Sequence, residues 1–136
     1  MLLKSSIDTR EHTQSYYAAS ANWATNYPEL RDNLSADVVI VGGGFSGVAT
    51  AVELSERGYE VILLEANRLG WGASGRNGGQ LIGGFGNNPS GFRHTIGKEG
   101  VDAVEQMGVE CVDIVRERIE RYQIDCDLKW GWCAVA

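Results

Sequence analysis

Cysteine, proline, net positive charge and long apolar runs are all scarce in this chain, and each shortage excludes something. The three cysteines, Cys111, Cys126 and Cys133, are odd in number and too far apart for a C-x-x-C pair, so they predict reduced, partly buried thiols and no disulfide framework. Only 2 prolines in 136 residues argue against a linker or a disordered composition. No apolar run approaches the length of a membrane-spanning helix. The start "MLLKSS" lacks the apolar core of a signal peptide, so a reducing cytoplasm is the default compartment. Lysine and arginine number 12 against 18 aspartates and glutamates, a net charge of −6. That balance excludes nucleic acid or an anionic membrane as a general partner, because both need a basic face. Any anion bound here is held by local geometry.

Glycine is what the chain has instead. There are 18, well above the average of about 7% of residues, and they cluster at 42–47 and 70–86. The length is that of one domain, and a domain of this size buries roughly 68% of its unfolded surface.

Residues 1–35 show no sustained period. Tyr16, Tyr17 and Trp23 make them aromatic enough for an N-terminal arm laid across a larger body, with a frayed tail as the alternative. From Asp37, "DVVIV" is a continuous apolar run, as expected of a parallel strand covered on both faces. "GFSGVATAVELSERG" predicts a helix of about thirteen residues closed by Gly58, with Gly47, Ala51 and Leu54 on its inner face. "YEVILLE", Tyr59 to Glu65, is the second strand, and the three elements together have the size of a βαβ unit. A second helix is predicted from about 100 to 122. Val101, Val104, Met107 or Gly108, Cys111, Ile114 or Val115, Ile119 and Tyr122 form its core-facing stripe. Its acidic residues, among them Asp102, Glu105 and Glu110, read as a solvated face. Finally "LKWGWCAV" alternates like a strand.

The spacing G-x-G-x-x-G is met by Gly42, Gly44 and Gly47. Gly42 permits the tight turn out of the strand, Gly44 lets the backbone approach a pyrophosphate, and Gly47 lets the helix pack on the strand. The helix N-terminus then offers free N–H groups and about half a positive charge to the phosphates. Alone the triplet is weak; between a strand and a helix it marks a dinucleotide site. Glu65, at the end of the second strand, is placed to accept the two ribose hydroxyls of an adenosine and would repel a 2′-phosphate, which argues against NADP. The fingerprint itself serves both FAD and NAD.

The longer run Gly42, Gly44, Gly47, Ala51, Leu54, Gly58, Val61 and Glu65 resembles the extended FAD fingerprint of two-domain flavoproteins. The block "RLGWGASGRNGGQ", Arg68 to Gln80, resembles a second FAD-contact segment, that of the D-amino acid oxidase, sarcosine oxidase and glycine oxidase superfamily. With "SYYAASAN" and "RERIERYQIDCD", the chain is most similar to its gamma-glutamylputrescine oxidase branch. The resemblance implies an α/β fold, the N-terminal βαβ portion of a Rossmann-like FAD-binding domain. Residues 1–35 would be the arm, 36–125 the FAD-binding part, and 126–136 the start of a truncated substrate-domain strand. The whole would be a longer enzyme, or this chain a truncated reading frame. Cofactor contacts are implied at Gly42, Gly44, Phe45, Ser46, Gly47, Glu65, Ala66, Arg68, Ser74, Arg76, Asn77, Gly78 and Gly79.

Gly78 and Gly79 would let backbone N–H groups reach the polar edge of the flavin. Ser74 would bond a phosphate, and Arg76 would lie near the pyrophosphate or the reduced ring, unless it is merely solvated. Arg68 would lie over the adenosine or stay exposed. No histidine occurs in 66–80, and His94 reads as a loop residue, so the FAD is expected to be non-covalent. The implied activity is oxidation of a small amine or amino-acid C–N bond, with the cofactor carrying the chemistry. A non-catalytic FAD-binding fragment and an NAD-dependent dehydrogenase domain are the alternatives. No general acid or base, partnered nucleophile or metal cluster is visible, so the catalytic residues are not assigned.

Overall fold

A computed structural model describes residues 11–22, 25–86 and 88–131. The predicted Trp23 contact and residues 132–136 of the predicted final strand lie outside them. The chain divides into two compact units, Met1–Gly78 and Gly79–Ala136.

The first unit is built on a parallel pair of strands, β1 (Val38–Val41) and β2 (Val61–Leu64), joined by a helix. Val38 pairs with Val61 and the register runs to Val41 with Leu64. Both strands are shorter than the apolar runs that predict them, because the flanking residues have other partners. Asp37 uses its carboxylate to accept the Glu60 N–H at 2.8 Å, and the Tyr59 N–H goes back to Leu54 O at 3.1 Å.

A short helix, α1 (Tyr16–Ala19), is capped by Ser15, whose hydroxyl accepts the Ala18 N–H. Tyr16 and Tyr17 meet edge to face at 5.8 Å, and both remain exposed. The connecting helix α2 (Phe45–Glu56) lies on the sheet with Gly47, Ala51 and Leu54 half-buried. It covers one face only. Val38 and Ile40 are half-buried, while Val39 and Val41 are 55% and 84% exposed. The expectation of a strand covered on both faces is therefore corrected: α2 is the single layer packed on this sheet among the described residues.

The second unit carries α3 (Arg93–Arg121), preceded by a 3-10 turn at Pro89–Phe92. The helix starts earlier than its apolar stripe predicts and is interrupted at Gly97, where φ is 72°. Val101 and Gly108 are its buried residues, and the stripe turns out to run through Gly108, with Met107 56% exposed. A close backbone approach decides this: Gly84 N–H donates to Gly108 O at 2.7 Å, and a Cβ on Gly108 would lie 2.9 Å from Gly84 Cα. The opposite face is solvated, with ion pairs Lys98–Asp102 and Arg116–Asp113 along it. Cys111 and Cys126 are unpaired and exposed, which corrects the expectation of partly buried thiols for these two; Cys133 lies outside the described residues. The stripe narrows at Gly108, and the Cys111 thiol donates to the Gly108 carbonyl at 3.3 Å in a part-buried contact.

α2 and α3 end in the same way. Tyr59 and Gly58 N–H groups return to Leu54 and Ser55, and Ile124 and Gln123 N–H groups return to Ile119 and Glu120. This is the paired closure in which the residue past the cap is left-handed, usually glycine. Gly58 has φ 89°, but the second position is Gln123, at φ 49°. A left-handed non-glycine residue costs about 1–2 kcal/mol. Gln123→Gly is therefore expected to raise the stability of the second unit by about 1 kcal/mol, after the glycine's larger unfolded-state entropy is subtracted. Slower hydrogen exchange in the last turns of α3 would register it; unchanged or faster exchange would contradict it.

Residues 124–131 form no strand, so the predicted final strand is corrected over its described part. Alternation prepares a segment for a sheet but does not supply a ladder partner, and none stands beside it among the described residues.

Candidate functional site

β1 delivers the chain into the glycine turn. Gly42 makes the last bond to the neighbouring strand, its N–H donating to Leu64 O at 2.7 Å, and turns with φ 106°. Gly43 is buried. Gly44 is the N-cap of α2 and supplies no side-chain cap. The third glycine of the spacing is sterically fixed: a Cβ on Gly47 would run into the carbonyl oxygen of Gly42. The spacing predicts that Gly47 lets the helix pack on the strand; the closest approach is to the Gly42 turn, with the strand residue Ile40 next, its Cγ2 3.5 Å from the same Cβ position.

The N-terminus of α2 receives one group from far along the chain. The Phe45 N–H donates to Ser74 Oγ at 2.9 Å, and a Cβ on Gly44 would lie 2.9 Å from the same oxygen. The next two N–H groups, of Ser46 and Gly47, belong to the first turn, where a helix has no internal acceptors. Phe45 itself is 69% exposed. Ser46 is also exposed, its carbonyl accepting the Thr50 hydroxyl at 2.7 Å.

Glu65 follows β2, and its carboxylate holds backbone. Oε2 accepts the Gly43 N–H at 2.7 Å and Oε1 accepts the Asn67 N–H at 2.9 Å. Each carboxylate oxygen has a second lone pair, so a hydroxyl can still be accepted. Ala66 is exposed beside it.

Arg68 and Arg76 have protein partners. Arg68 donates from Nε and Nη2 to the two carboxylate oxygens of Glu11 at 3.0 and 2.7 Å, and from Nη1 to Thr25 O at 3.2 Å. The bonded guanidinium holds the Glu11 carboxyl below the usual carboxylate range, and Arg68 is raised in return. Arg76 lies over the Trp71 ring, 4.7 Å from its centroid, and donates from Nε to Trp71 O at 3.1 Å. Asn77 Nδ2 donates to Ser74 O at 2.7 Å. Gly78 ends the first unit and Gly79, with φ 70°, opens the second.

Sequence reasoning missed several contributors: Gly43, Gly70, Gly75, Trp71 and Glu11. For one pair a signal was present. A Cβ on Gly75 would strike the Gly70 carbonyl, as one on Gly47 would strike that of Gly42. The interval is five residues in both, and Gly70 and Gly42 both have positive φ. "GWGASG" thus repeats the turn-then-helix geometry, opening a 3-10 turn at Ala73–Gly75 that carries Ser74. Glu11 leaves no sequence signal, because its partner is 57 residues away.

Among the described residues, no group of three or more histidine, cysteine, aspartate or glutamate side chains is arranged to hold a metal ion. No described helix is long and apolar enough to cross a membrane.

Residues 37–136 match the family model described as FAD dependent oxidoreductase. The chain belongs to this family. It is 45% identical over 126 residues to the gamma-glutamylputrescine oxidoreductase of Escherichia coli, covering 93% of this chain and 30% of that protein. It is also 42% identical over 127 residues to a probable oxidoreductase OrdL of Haemophilus influenzae, again 93% of this chain and 30% of the relative. An OrdL protein of Rhizobium meliloti is 32% identical over 121 residues, 89% of this chain and 28% of its own length. The chain therefore spans about 30% of the length of the curated relatives it matches. No solved structure matches it. The family is FAD-dependent, and Gly42, Gly44 and Gly47 stand within the β1–α2–β2 unit.

Proposed function

We propose that this chain binds FAD non-covalently, as the nucleotide-binding part of a flavin-dependent oxidoreductase that acts on an amine or amino-acid C–N bond. The observation that carries the reading is the junction of Gly44, Phe45 and Ser74. A helix N-terminus without a side-chain cap sits on a glycine turn, with one hydroxyl within reach of its first N–H. A pyrophosphate fits that donor set. The Ser46 and Gly47 N–H groups would bond its oxygens, and Ser74 would donate its own proton while its oxygen keeps the Phe45 N–H. The helix end contributes about 0.3–1 kcal/mol of attraction when exposed and up to about 2 when partly buried. Glu65 would accept ribose hydroxyls with its remaining lone pairs while it holds Gly43 and Asn67 in place.

Bound FAD would supply the redox chemistry, taking the hydride equivalent from the C–N bond; the chain supplies position and electrostatics. A gamma-glutamylputrescine-type substrate is supported by the similarity to the Escherichia coli oxidoreductase alone.

The test is the visible spectrum of the purified chain after incubation with FAD and desalting, beside Gly44→Val. The larger side chain would be driven into Ser74 Oγ and into the phosphate position. Flavin bands kept by the wild type and lost by the variant are the expected result. A folded wild type that keeps no flavin, or a variant that keeps as much, would overturn the reading for this polypeptide.

A further inference from the structure

The segment that brings Ser74 to α2 is tied down by a residue from before β1. Glu11 makes three contacts to it. Its carboxylate takes both Nε and Nη2 of Arg68, and its main-chain carbonyl accepts the Trp71 indole N–H at 2.8 Å. From Trp71 the contacts continue inward to the site. The Trp71 ring and carbonyl hold Arg76, Gly75 packs against Gly70, and Ser74 lies between them at the Phe45 N–H. Residues 68–76 contain no α-helix or strand that could hold them by its own ladder, only the three-residue 3-10 turn at Ala73–Gly75. One backbone bond, Gly70 N–H to Gly43 O at 2.9 Å, ties the start of this path to the glycine turn, and the side-chain contacts of Glu11, Arg68 and Trp71 hold it on the other side.

We propose that Glu11 is a positioning residue for the nucleotide site, acting through Arg68 and Trp71 to hold Ser74 at the N-terminus of α2. The proposal rests on the FAD reading above. It also gives Arg68 a different task from lying over the adenosine: the guanidinium joins the N-terminal segment to the site. The fork geometry makes this specific, since both carboxylate oxygens are used by one planar donor set, a pairing a lysine could not reproduce. Arg68 is the better shielded partner, 28% exposed against 73% for Glu11, so loss of the carboxylate leaves a half-buried cation with one carbonyl contact.

The test is a double-mutant cycle on the whole chain, with Glu11→Gln, Arg68→Gln and the pair together. FAD affinity is read by flavin fluorescence, and tryptic cleavage after Arg76, which all three variants retain, is read by mass spectrometry. Exposed ion pairs contribute modestly, so each single variant is expected to bind FAD about fivefold more weakly and be cut about fivefold faster. The double variant should be no worse than the worse single one, because both act through one contact. Far-UV circular dichroism like that of the wild type shows that the βαβ unit persists. Unchanged affinity and cleavage in Glu11→Gln, or additive losses in the double variant, would overturn the proposal. If the wild type binds no FAD, the FAD reading fails and the cleavage series still decides whether Glu11 holds the segment. Cleavage that is coupled between Glu11 and Arg68 supports the clamp; cleavage that is unchanged or additive rejects it.

Discussion

Gly47→Ala is expected to destabilise the first unit by about 2–3 kcal/mol and to abolish retention of FAD. Helix propensity alone predicts the opposite, since alanine is favoured over glycine inside a helix by about 1 kcal/mol. The contact decides the sign. The new Cβ would meet the carbonyl oxygen of Gly42, a backbone atom held by the turn itself, so no side chain can rotate aside. Relief requires α2 to lift from the turn, and overpacking of that kind costs about 1–3 kcal/mol in well-packed sites, with rigid backbone at the upper end. Lifting the helix also withdraws the Ser46 and Gly47 N–H groups from the phosphate position. Hydrogen exchange of the α2 amides would report the first effect and desalting with FAD the second. Exchange as slow as in the wild type would show that the helix can accommodate the methyl group, and would contradict the steric role given to Gly47.

Glu65→Ala should destabilise the first unit to a similar extent, for a reason the dinucleotide fingerprint does not state. The carboxylate is the acceptor for two backbone N–H groups, those of Gly43 and Asn67, and Gly43 is buried. A buried donor left without an acceptor costs about 1–3 kcal/mol. The loss of both charge-assisted bonds places the expected destabilisation at about 2–4 kcal/mol. Glu65→Gln should fall between wild type and alanine. Its amide oxygen keeps one N–H, while its NH2 group faces the other donor. Both variants should weaken FAD binding by at least about tenfold, the equivalent of one lost hydrogen bond of about 1.4 kcal/mol. Denaturant midpoints for the three proteins in the absence of FAD isolate the structural part. If alanine and glutamine were equally stable and equal to the wild type, Glu65 would hold only ligand, and the backbone role would be wrong.

The βαβ unit was legible because it is local. Two apolar runs, a helical period and three glycines at fixed intervals lie within a continuous stretch, and each was written by steric rules that act over a few residues. The same locality explains the glycine turn, where the spacing anticipated close packing of the helix at Gly47, and the structure adds that the nearest atom is the Gly42 carbonyl. The second turn at Gly70 and Gly75 obeys the same rule but interrupts no apolar strand, so the spacing carried no context. Choices between adjacent residues were less legible. Met107 and Gly108 are equivalent to a helical period, and the close approach of Gly84 selects Gly108. Over its described part, the predicted final strand does not form for a related reason: alternation is a property of the segment, whereas a strand is a property of a pair.

By itself, then, the sequence determined the order and type of β1, α2 and β2, the position of the glycine turn and the family to which the chain belongs. Only the tertiary structure decided what the charged side chains do. It gave Glu65 to the backbone of the turn, Arg76 to Trp71, and Arg68 to Glu11. Glycine positions are set by backbone geometry a few residues long and so can be read in one dimension. A long charged side chain takes the best partner within reach in space, and for Arg68 that partner is 57 residues away.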